Sequence, residues 1–150
     1  SFWTVVGICI GLYQKENNVL SIKFITPFRI RQNGQLKDNL TFKDIFNACL
    51  RRVSLLIFYY DNINTPIIDY KQIKKNLENV VIIENKTNWL DWQRYSTRQE
   101  EYMQFGGIIG EIKFNLKDFD ISQYINILKF CEIVNIGKNY TFGNGRIKWE

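Results

Sequence analysis

The feature of this sequence that most limits its possible folds is the periodicity of its apolar residues, which changes several times along the chain. From Val19 onward, apolar residues alternate, then recur every three to four positions, alternate over two further segments, recur helically again and end in a short alternating segment. This pattern predicts strand, helix, strand, strand, helix, strand, with a short helix inserted before the third element. We therefore expect an α+β, ferredoxin-like β-α-β-β-α-β fold, in which two helices cover one face of an antiparallel sheet.

The first half of the chain contains the clearest helix signal. A strand is predicted from Val19 to Thr26, and Pro27 is expected to end it because proline cannot donate to a β-ladder. Thr41 and Asp44 have the spacing of a capping box at the start of a helix. The apolar stripe of this helix predicts part of the core and comprises Phe42, Ile45, Phe46, Cys49, Leu50, Val53, Leu56 and Ile57.

Weaker signals complete the order of elements. Phe2–Tyr13 predicts an additional N-terminal strand, and Pro66–Leu77 predicts the short inserted helix. Val80–Ile83 is so apolar that we expect a buried strand. A long hairpin follows, with arms at Trp89–Arg98 and Tyr102–Phe114 and a bend or bulge at its two adjacent glycines, Gly106 and Gly107. Asp120 or Ser122 is expected to cap the last helix.

Composition restricts the class of protein. The chain of 150 residues is 45% apolar, which suits one globular domain with a sizeable core. Its formal net charge of +5 is compatible with nucleic acid but is shared by many other domains. Cys9, Cys49 and Cys131 lie far apart in apolar surroundings and predict reduced core thiols in a cytoplasmic protein. No apolar run is long enough to span a bilayer, so no membrane partner is expected.

The complete absence of histidine restricts the chemistry further. It removes the commonest general base near neutral pH and the commonest metal ligand, and three scattered cysteines cannot form a zinc site. We expect neither a metal nor a small-molecule cofactor. Acid–base chemistry in this chain would fall to Lys, Tyr, Asp or Glu.

A glycine-rich loop, Asn135–Gly145, separates the last helix from a terminal strand at Arg146–Trp149. Its three glycines permit positive φ, and successive backbone amides in such a turn, together with Lys138, can bind phosphate. The same pattern is also typical of a plain turn. In the predicted topology the last strand lies beside the first, so Arg29 and Arg31 would form a basic edge next to this loop.

Five short segments in register point to one protein family. They are Ile25–Ile30, Leu50–Val53, Asp91–Gln99, Gly106–Gly110 and Ile136–Gly145. Together they resemble the C-terminal part of the CRISPR-associated endoribonucleases that process precursor CRISPR RNA, members of the RAMP superfamily. The chain departs from the family's loop pattern at Asn135, where the family has Gly, and at Asn144, where the family has an apolar residue. The resemblance implies a C-terminal ferredoxin-like RAMP domain at 15–150 and, at 1–14, the linking strand from a missing N-terminal half.

The resemblance also implies a function. Such enzymes cut repeat RNA without metal, by attack of a 2′-OH on the adjacent phosphate, and the acid–base residue commonly lies in the first half. We therefore expect RNA binding from this chain, and whether it is an enzyme by itself stays open. The expected RNA-binding residues are Gly137, Lys138, Tyr140, Thr141, Gly143, Gly145, Arg146, Arg29, Arg31 and Arg51. The expected partners are CRISPR repeat RNA and other CRISPR effector subunits.

Several alternatives remain open from the sequence. Arg94 and Arg98 either contact RNA or pair with carboxylates such as Asp91 and Glu100 to hold the hairpin together. A second possibility for the function is a non-catalytic RAMP subunit that holds guide RNA or scaffolds an effector complex. A ferredoxin-like protein-interaction domain without an RNA role is the third possibility. No pair of aromatic residues suited to base stacking is found on the predicted sheet, so loops and basic edges are the expected RNA contacts.

Overall fold

A four-stranded antiparallel sheet organises the protein in its computed structural model, which describes residues 18–60, 73 and 76–150. In chain order the elements are β1 (Val19–Phe28), β2 (Arg31–Gln32), β3 (Gln35–Leu36), α1 (Phe42–Tyr60), β4 (Val81–Leu90), β5 (Gln93–Ser96), β6 (Glu101–Gln104), β7 (Gly107–Asn115), α2 (Ile125–Val134) and β8 (Ile147–Trp149). The main sheet has the order β4-β7-β1-β8 and every neighbouring pair is antiparallel. The last strand thus lies beside the first, and the predicted ferredoxin-like topology is confirmed.

Both helices pack on the same face of this sheet. The ring of Phe42 in α1 contacts Phe114 of β7 and Trp149 of β8, at centroid distances of 5.1 and 6.4 Å. The thiol of Cys131 in α2 lies 3.7 Å from the backbone oxygen of Cys49 in α1. These contacts make one buried core between the sheet and the two helices. Cys49 and Cys131 are free thiols, as predicted, and burial raises the pKa of Cys49.

The start of α1 is fixed by the predicted capping box. The backbone N–H of Thr41 donates to Asp44 Oδ2 over 2.8 Å, and the backbone N–H of Asp44 donates to Thr41 Oγ1 over 3.3 Å. Lys37 Nζ lies 2.8 Å from the same Asp44 oxygen. Burial acts to raise the pKa of Asp44, but hydrogen bonds from Lys37 and Thr41 outweigh it and lower the pKa. A fixed carboxylate therefore orders the first turn of α1.

Two predicted strand features are wrong. Strand β1 does not end before Pro27 but continues to Phe28, because the register shifts between Phe24 and Phe28 and this irregularity accommodates the proline. The strand predicted to be buried at 80–83 is not buried, since Val81 and Ile83 are 63% and 54% exposed. They belong to β4, an outer strand of the sheet, so an apolar sequence there does not require burial on both faces.

The predicted hairpin is present, and it has two parts. Strands β4 and β7 pair along the whole of β4, from Val81 to Leu90. Between Leu90 and Gly106 the chain forms a two-stranded arm from β5 and β6 (the arm, Gln93–Gln104). A Cβ on Gly107 would lie 2.6 Å from the backbone oxygen of Phe28, which explains a glycine where the arm leaves the sheet. Within the described residues, neither Arg94 nor Arg98 forms an ion pair.

Some predictions fall outside the described residues. These are the N-terminal strand Phe2–Tyr13, with Cys9 in it, and most of the helix from Pro66 to Leu77. Of that helix, residues 73, 76 and 77 are described, and Ile73 and Leu77 are buried in the core. No helix among the described residues is long and apolar enough to cross a bilayer.

Candidate functional site

A groove of about 720 Å³ runs between α1 and the glycine-rich loop. Residues of α1 between Asp44 and Leu55, the beginning of the loop and the chain after β1 line it. The residues that line the groove are Ile30, Arg31, Gln32, Asp44, Asn47, Ala48, Arg51, Arg52, Leu55, Gly137, Lys138, Asn139 and Tyr140. Three segments far apart in sequence thus meet there, because β8 pairs with β1 and α2 packs against α1.

The groove has an excess of positive charge. Arg31, Arg51, Arg52 and Lys138 line it, and no carboxylate among the described residues forms an ion pair with any of them. The acidic lining residue, Asp44, is already bonded to Lys37 and Thr41. Lys and Arg side chains in this state are the usual ligands of phosphate groups. The groove is therefore suited to an extended polyanion.

Arg52 is a groove residue that sequence reasoning did not select. Its guanidinium carbon lies 3.8 Å from the centre of the Tyr140 ring, and its Nε donates to the backbone oxygen of Val134 over 3.2 Å. These two contacts tie α1 to the start of the loop. In the sequence Arg52 only borders the apolar stripe of α1. Its role could not be predicted there, because it depends on contacts with residues more than 80 positions away.

The glycine-rich loop does not present the expected row of free amides. The N–H groups of Lys138 and Gly145 donate to the backbone oxygens of Arg29 and Pro27, over 2.7 and 3.0 Å. The N–H of Gly143 donates to the oxygen of Tyr140 over 3.1 Å. The predicted phosphate nest is therefore wrong for Gly143 and Gly145, because their amides hold the loop together and against the end of β1. The loop presents the side chains of Lys138 and Tyr140 to the groove.

Two of the three loop glycines are required by close packing. A Cβ on Gly137 would lie 2.7 Å from the Arg29 oxygen, and a Cβ on Gly145 would lie 1.7 Å from the Ile136 oxygen. Both have positive φ, +82° and +75°. Gly143 also has a positive φ, +91°, but a Cβ there would meet nothing within 4 Å. Gly143 is therefore required only for the positive φ of the turn and not for close packing.

The two residues that depart from the family's loop pattern, Asn135 and Asn144, both form side-chain hydrogen bonds. Asn135 adopts φ +55°, which suits the place of a glycine, and its Nδ2 donates to the backbone oxygen of Asn144 over 3.2 Å. Asn144 is only 1% exposed, and its Nδ2 donates to the backbone oxygen of Phe105 over 3.0 Å. A buried polar side chain is acceptable when it is hydrogen-bonded. Asn144 thereby ties the loop to the base of the arm.

The predicted site residues divide into two groups. Those that line the groove are Gly137, Lys138, Tyr140, Arg31 and Arg51. Those that do not are Arg29, Thr141, Gly143, Gly145 and Arg146. The expected basic edge is wrong for Arg29, which is 9% exposed and whose Nη1 donates to the backbone oxygen of Gln104 at the base of the arm.

The open face of the sheet has paired charges instead of aromatic rings at its centre. Glu84 lies between Lys86 and Lys113, at 2.6 and 2.9 Å, and these lysines lower its pKa to about 2. Glu150 similarly bridges Lys23 and Lys148, at 2.7 and 3.0 Å. Because these cations are already paired, this face attracts a polyanion less than the groove does.

The groove has the charge to attract an anion, and its acidic lining residue is already engaged. Asp44 is held as a carboxylate of lowered pKa, and the chain has no histidine. Within the described part of the chain, no group of three or more His, Cys, Asp or Glu side chains is arranged to hold a metal ion. The chemistry that the groove supports is binding and dispersal of negative charge.

Comparison with solved structures shows the same fold in several proteins. A Cas6 product complex superposes on 92% of this chain with a TM-score of 0.61 and 15% identity, and a Thermus thermophilus Cas6 superposes on 89% with a TM-score of 0.67 and 10% identity. The match covers 53% and 54% of those chains, so this chain spans about half of their length. A partial Cas6-RT-Cas1–Cas2 complex matches 88% of this chain and 22% of its own, with a TM-score of 0.62 and 14% identity.

Comparison with sequences gives the family. No curated protein sequence matches this chain. The family model described as CRISPR-associated endoribonuclease Cas6 matches residues 22–147, a range that begins within β1, includes β4, β7, both helices and the loop, and ends at the first residue of β8. The chain therefore belongs to the family of CRISPR-associated Cas6 endoribonucleases.

Proposed function

We propose that this chain is the C-terminal RAMP half, residues 15–150, of an endoribonuclease that cleaves precursor CRISPR RNA within its repeats, and that its groove binds the RNA backbone. The observation that carries the proposal is the groove of a Cas6-family chain in which Arg31, Arg51 and Lys138 are exposed and unpaired among the described residues. Phosphate contacts of this kind dominate affinity for nucleic acid.

The proposed reaction divides the work between this chain and the other half of the enzyme. Attack of a 2′-OH on the adjacent phosphate needs a base for the hydroxyl proton, an acid for the leaving 5′-oxygen and cations for the developing negative charge. Lys138 and Arg51 supply cations in this chain. Asp44 is a weak base because its pKa is lowered, and Lys37 and Thr41 occupy its oxygen. We therefore assign proton transfer to the other half.

The second candidate is a RAMP subunit that holds guide RNA without cutting it. The lack of histidine and the engagement of Asp44 favour it, since both leave binding as the function of this groove. Under either candidate the partners are CRISPR repeat RNA and other CRISPR effector subunits, and the compartment is the cytoplasm. One neighbouring structure is a complex of Cas6 with RT, Cas1 and Cas2 proteins.

The salt dependence of RNA binding tests the groove. Lys138→Ala and Arg51→Ala should each weaken binding of repeat RNA, and of unrelated RNA about equally, because phosphate contacts carry no sequence information. Each should also lower the slope of log affinity against log salt by roughly one. Filter binding at four salt concentrations measures both quantities. The matched control is Lys86→Ala, a lysine paired with Glu84 on the open sheet face.

Two results would decide against the groove. If Lys138→Ala and Arg51→Ala bind RNA like the parent at every salt concentration while Lys86→Ala loses affinity, the RNA lies on the sheet. If the parent binds no RNA at all, the chain is a protein-interaction domain, and if it binds with no dependence on salt, the cations of the groove do not contact phosphate.

A further inference from the structure

We propose that Phe142 is a stacking platform for an unpaired nucleobase of the RNA whose phosphates lie in the groove, and that Arg94 closes over that base. The inference rests on the proposed function. It assigns a second contact, outside the groove, to a residue that the sequence did not single out.

Phe142 is a large aromatic ring in an open position. It is 50% exposed, and its neighbours Thr141 and Gly143 are exposed as well. A Cβ on Gly143 would meet no atom within 4 Å apart from its chain neighbours, so the backbone that follows Phe142 is open as well. A planar nucleobase has room to approach there.

The ring is held rigidly although it is exposed. It packs at 74° against Phe105, with 5.1 Å between ring centres, and Phe105 is 1% exposed. Trp92, the residue before the arm, packs against Phe105, again with 5.1 Å between ring centres. Asn144, two residues after Phe142, is bonded to the backbone oxygen of Phe105. A ring fixed in this way loses little conformational entropy on stacking.

Arg94 already occupies the position expected of a stacked ligand. Its guanidinium carbon lies above the Phe142 ring, 5.3 Å from the ring centre. No carboxylate among the described residues pairs with this guanidinium, so its charge is free for an anion. Bases of unpaired RNA stack both on aromatic rings and on arginine planes. A base that enters over Phe142 can therefore be covered by Arg94, with the adjoining phosphate near its charge.

The position also follows from the path of the RNA. One short 3₁₀ turn, Tyr140–Phe142, contributes Tyr140 to the groove and Phe142 to the surface beside the arm. RNA that leaves the groove across this turn reaches Phe142 within a few nucleotides. The arm also has an exposed aromatic pair, Tyr95 and Tyr102. This pair lies on the face of the arm opposite Arg94, because side chains alternate along a strand and Tyr95 follows Arg94.

A base-specific fluorescence experiment tests the inference. Repeat RNAs carrying 2-aminopurine at one unpaired position at a time are titrated with the parent, Phe142→Leu and Tyr102→Leu. Phe142→Leu keeps an apolar contact with Phe105 but removes the stacking face. We expect quenching at one position, or a few adjacent ones, with the parent and with Tyr102→Leu, and its loss with Phe142→Leu.

Affinity gives the second readout. Phe142→Leu should weaken binding of the repeat RNA about tenfold, the effect typical of a lost base–aromatic stack, and should leave the salt slope unchanged because no phosphate contact is lost. Removing the quenched base, with its sugar and phosphate kept, should weaken the parent equally and should not weaken Phe142→Leu further.

The outcomes separate this inference from the proposed function. If Phe142→Leu matches the parent in quenching and affinity at every position, Phe142 is not a platform, even where Lys138→Ala confirms the groove. If Phe142→Leu lowers affinity equally for RNA with and without the base, the ring only supports the loop and the inference fails. Failure of the groove itself appears separately, as an unchanged salt slope for Lys138→Ala.

Discussion

Arg29 shows how one buried charge is accommodated in this protein. Its side chain is 9% exposed, its Nη1 donates to the Gln104 backbone oxygen, and its Nε has no hydrogen-bond partner. No described carboxylate pairs with it, and burial together with the nearby charge of Arg31 lowers its pKa. A buried charge with one neutral acceptor is costly. In return for this cost, the hydrogen bond from Arg29 to Gln104 holds the arm against the end of β1.

Replacing Arg29 by methionine should therefore leave stability almost unchanged. Arg29→Met keeps most of the apolar stem and removes the buried charge, while the Gln104 oxygen loses one donor. We expect the free energy of unfolding in urea to change by less than about 1 kcal/mol. RNA affinity should fall less than in Lys138→Ala, because the guanidinium of Arg29 faces the arm.

The control for this variant is Arg31→Met, the exposed neighbour in the groove. A loss of about 3–5 kcal/mol for Arg29→Met alone would mean that Arg29 has an anionic partner outside the described residues, since breaking a buried ion pair costs that much.

At the scale of elements, the glycine-rich loop is fixed by its contacts with β1. Thr26 Oγ1 donates to the Gly143 oxygen over 2.7 Å and accepts from the Arg146 N–H over 2.9 Å. Gly145 donates to the Pro27 oxygen over 3.0 Å. The loop is therefore an extension of the sheet edge, and its glycines differ in importance according to what lies against them.

Two alanine variants measure this difference. Gly143→Ala adds a methyl group in open space at positive φ and should cost about 1 kcal/mol of unfolding free energy. Gly145→Ala places a methyl group against the Ile136 oxygen and should cost at least about 2 kcal/mol more, because overpacking adds to the backbone strain. Thermal unfolding of both variants measures the order, and equal losses would contradict this packing of the loop.

The elements show what the sequence can predict and where it fails. Periodicity alone predicts the order of the main elements and most of the buried face of α1, because both depend on local spacing. Burial of Val81 and Ile83 was mispredicted, since local sequence does not show that β4 is an outer strand. The prediction of free loop amides fails for a similar reason at Lys138 and Gly145: their acceptors, Arg29 and Pro27, lie more than 100 residues away in the chain. The Arg52–Tyr140 contact depends on the same long-range packing.

At the scale of the whole molecule, charge and aromatic surface are distributed unevenly around the loop. The groove contains four cations without described ion-pair partners, and Phe142, which does not line the groove, lies under Arg94. The open sheet face neutralises its own charges through Glu84 and Glu150. A net charge of +5 thus understates the local field at the groove, which steers an anionic ligand to one region.

This distribution predicts binding without efficient cleavage by the 150-residue chain alone. The groove supplies cations, the carboxylate of Asp44 is engaged, and the chain has no histidine to move a proton near neutral pH. End-labelled repeat RNA incubated with the chain in EDTA should therefore stay intact, while filter binding under the same conditions shows the complex. RNA incubated without protein gives the background rate of hydrolysis. Cutting at one position with a 2′,3′-cyclic phosphate end, abolished in Lys138→Ala or in Tyr140→Phe, would instead place the acid–base residues in this groove.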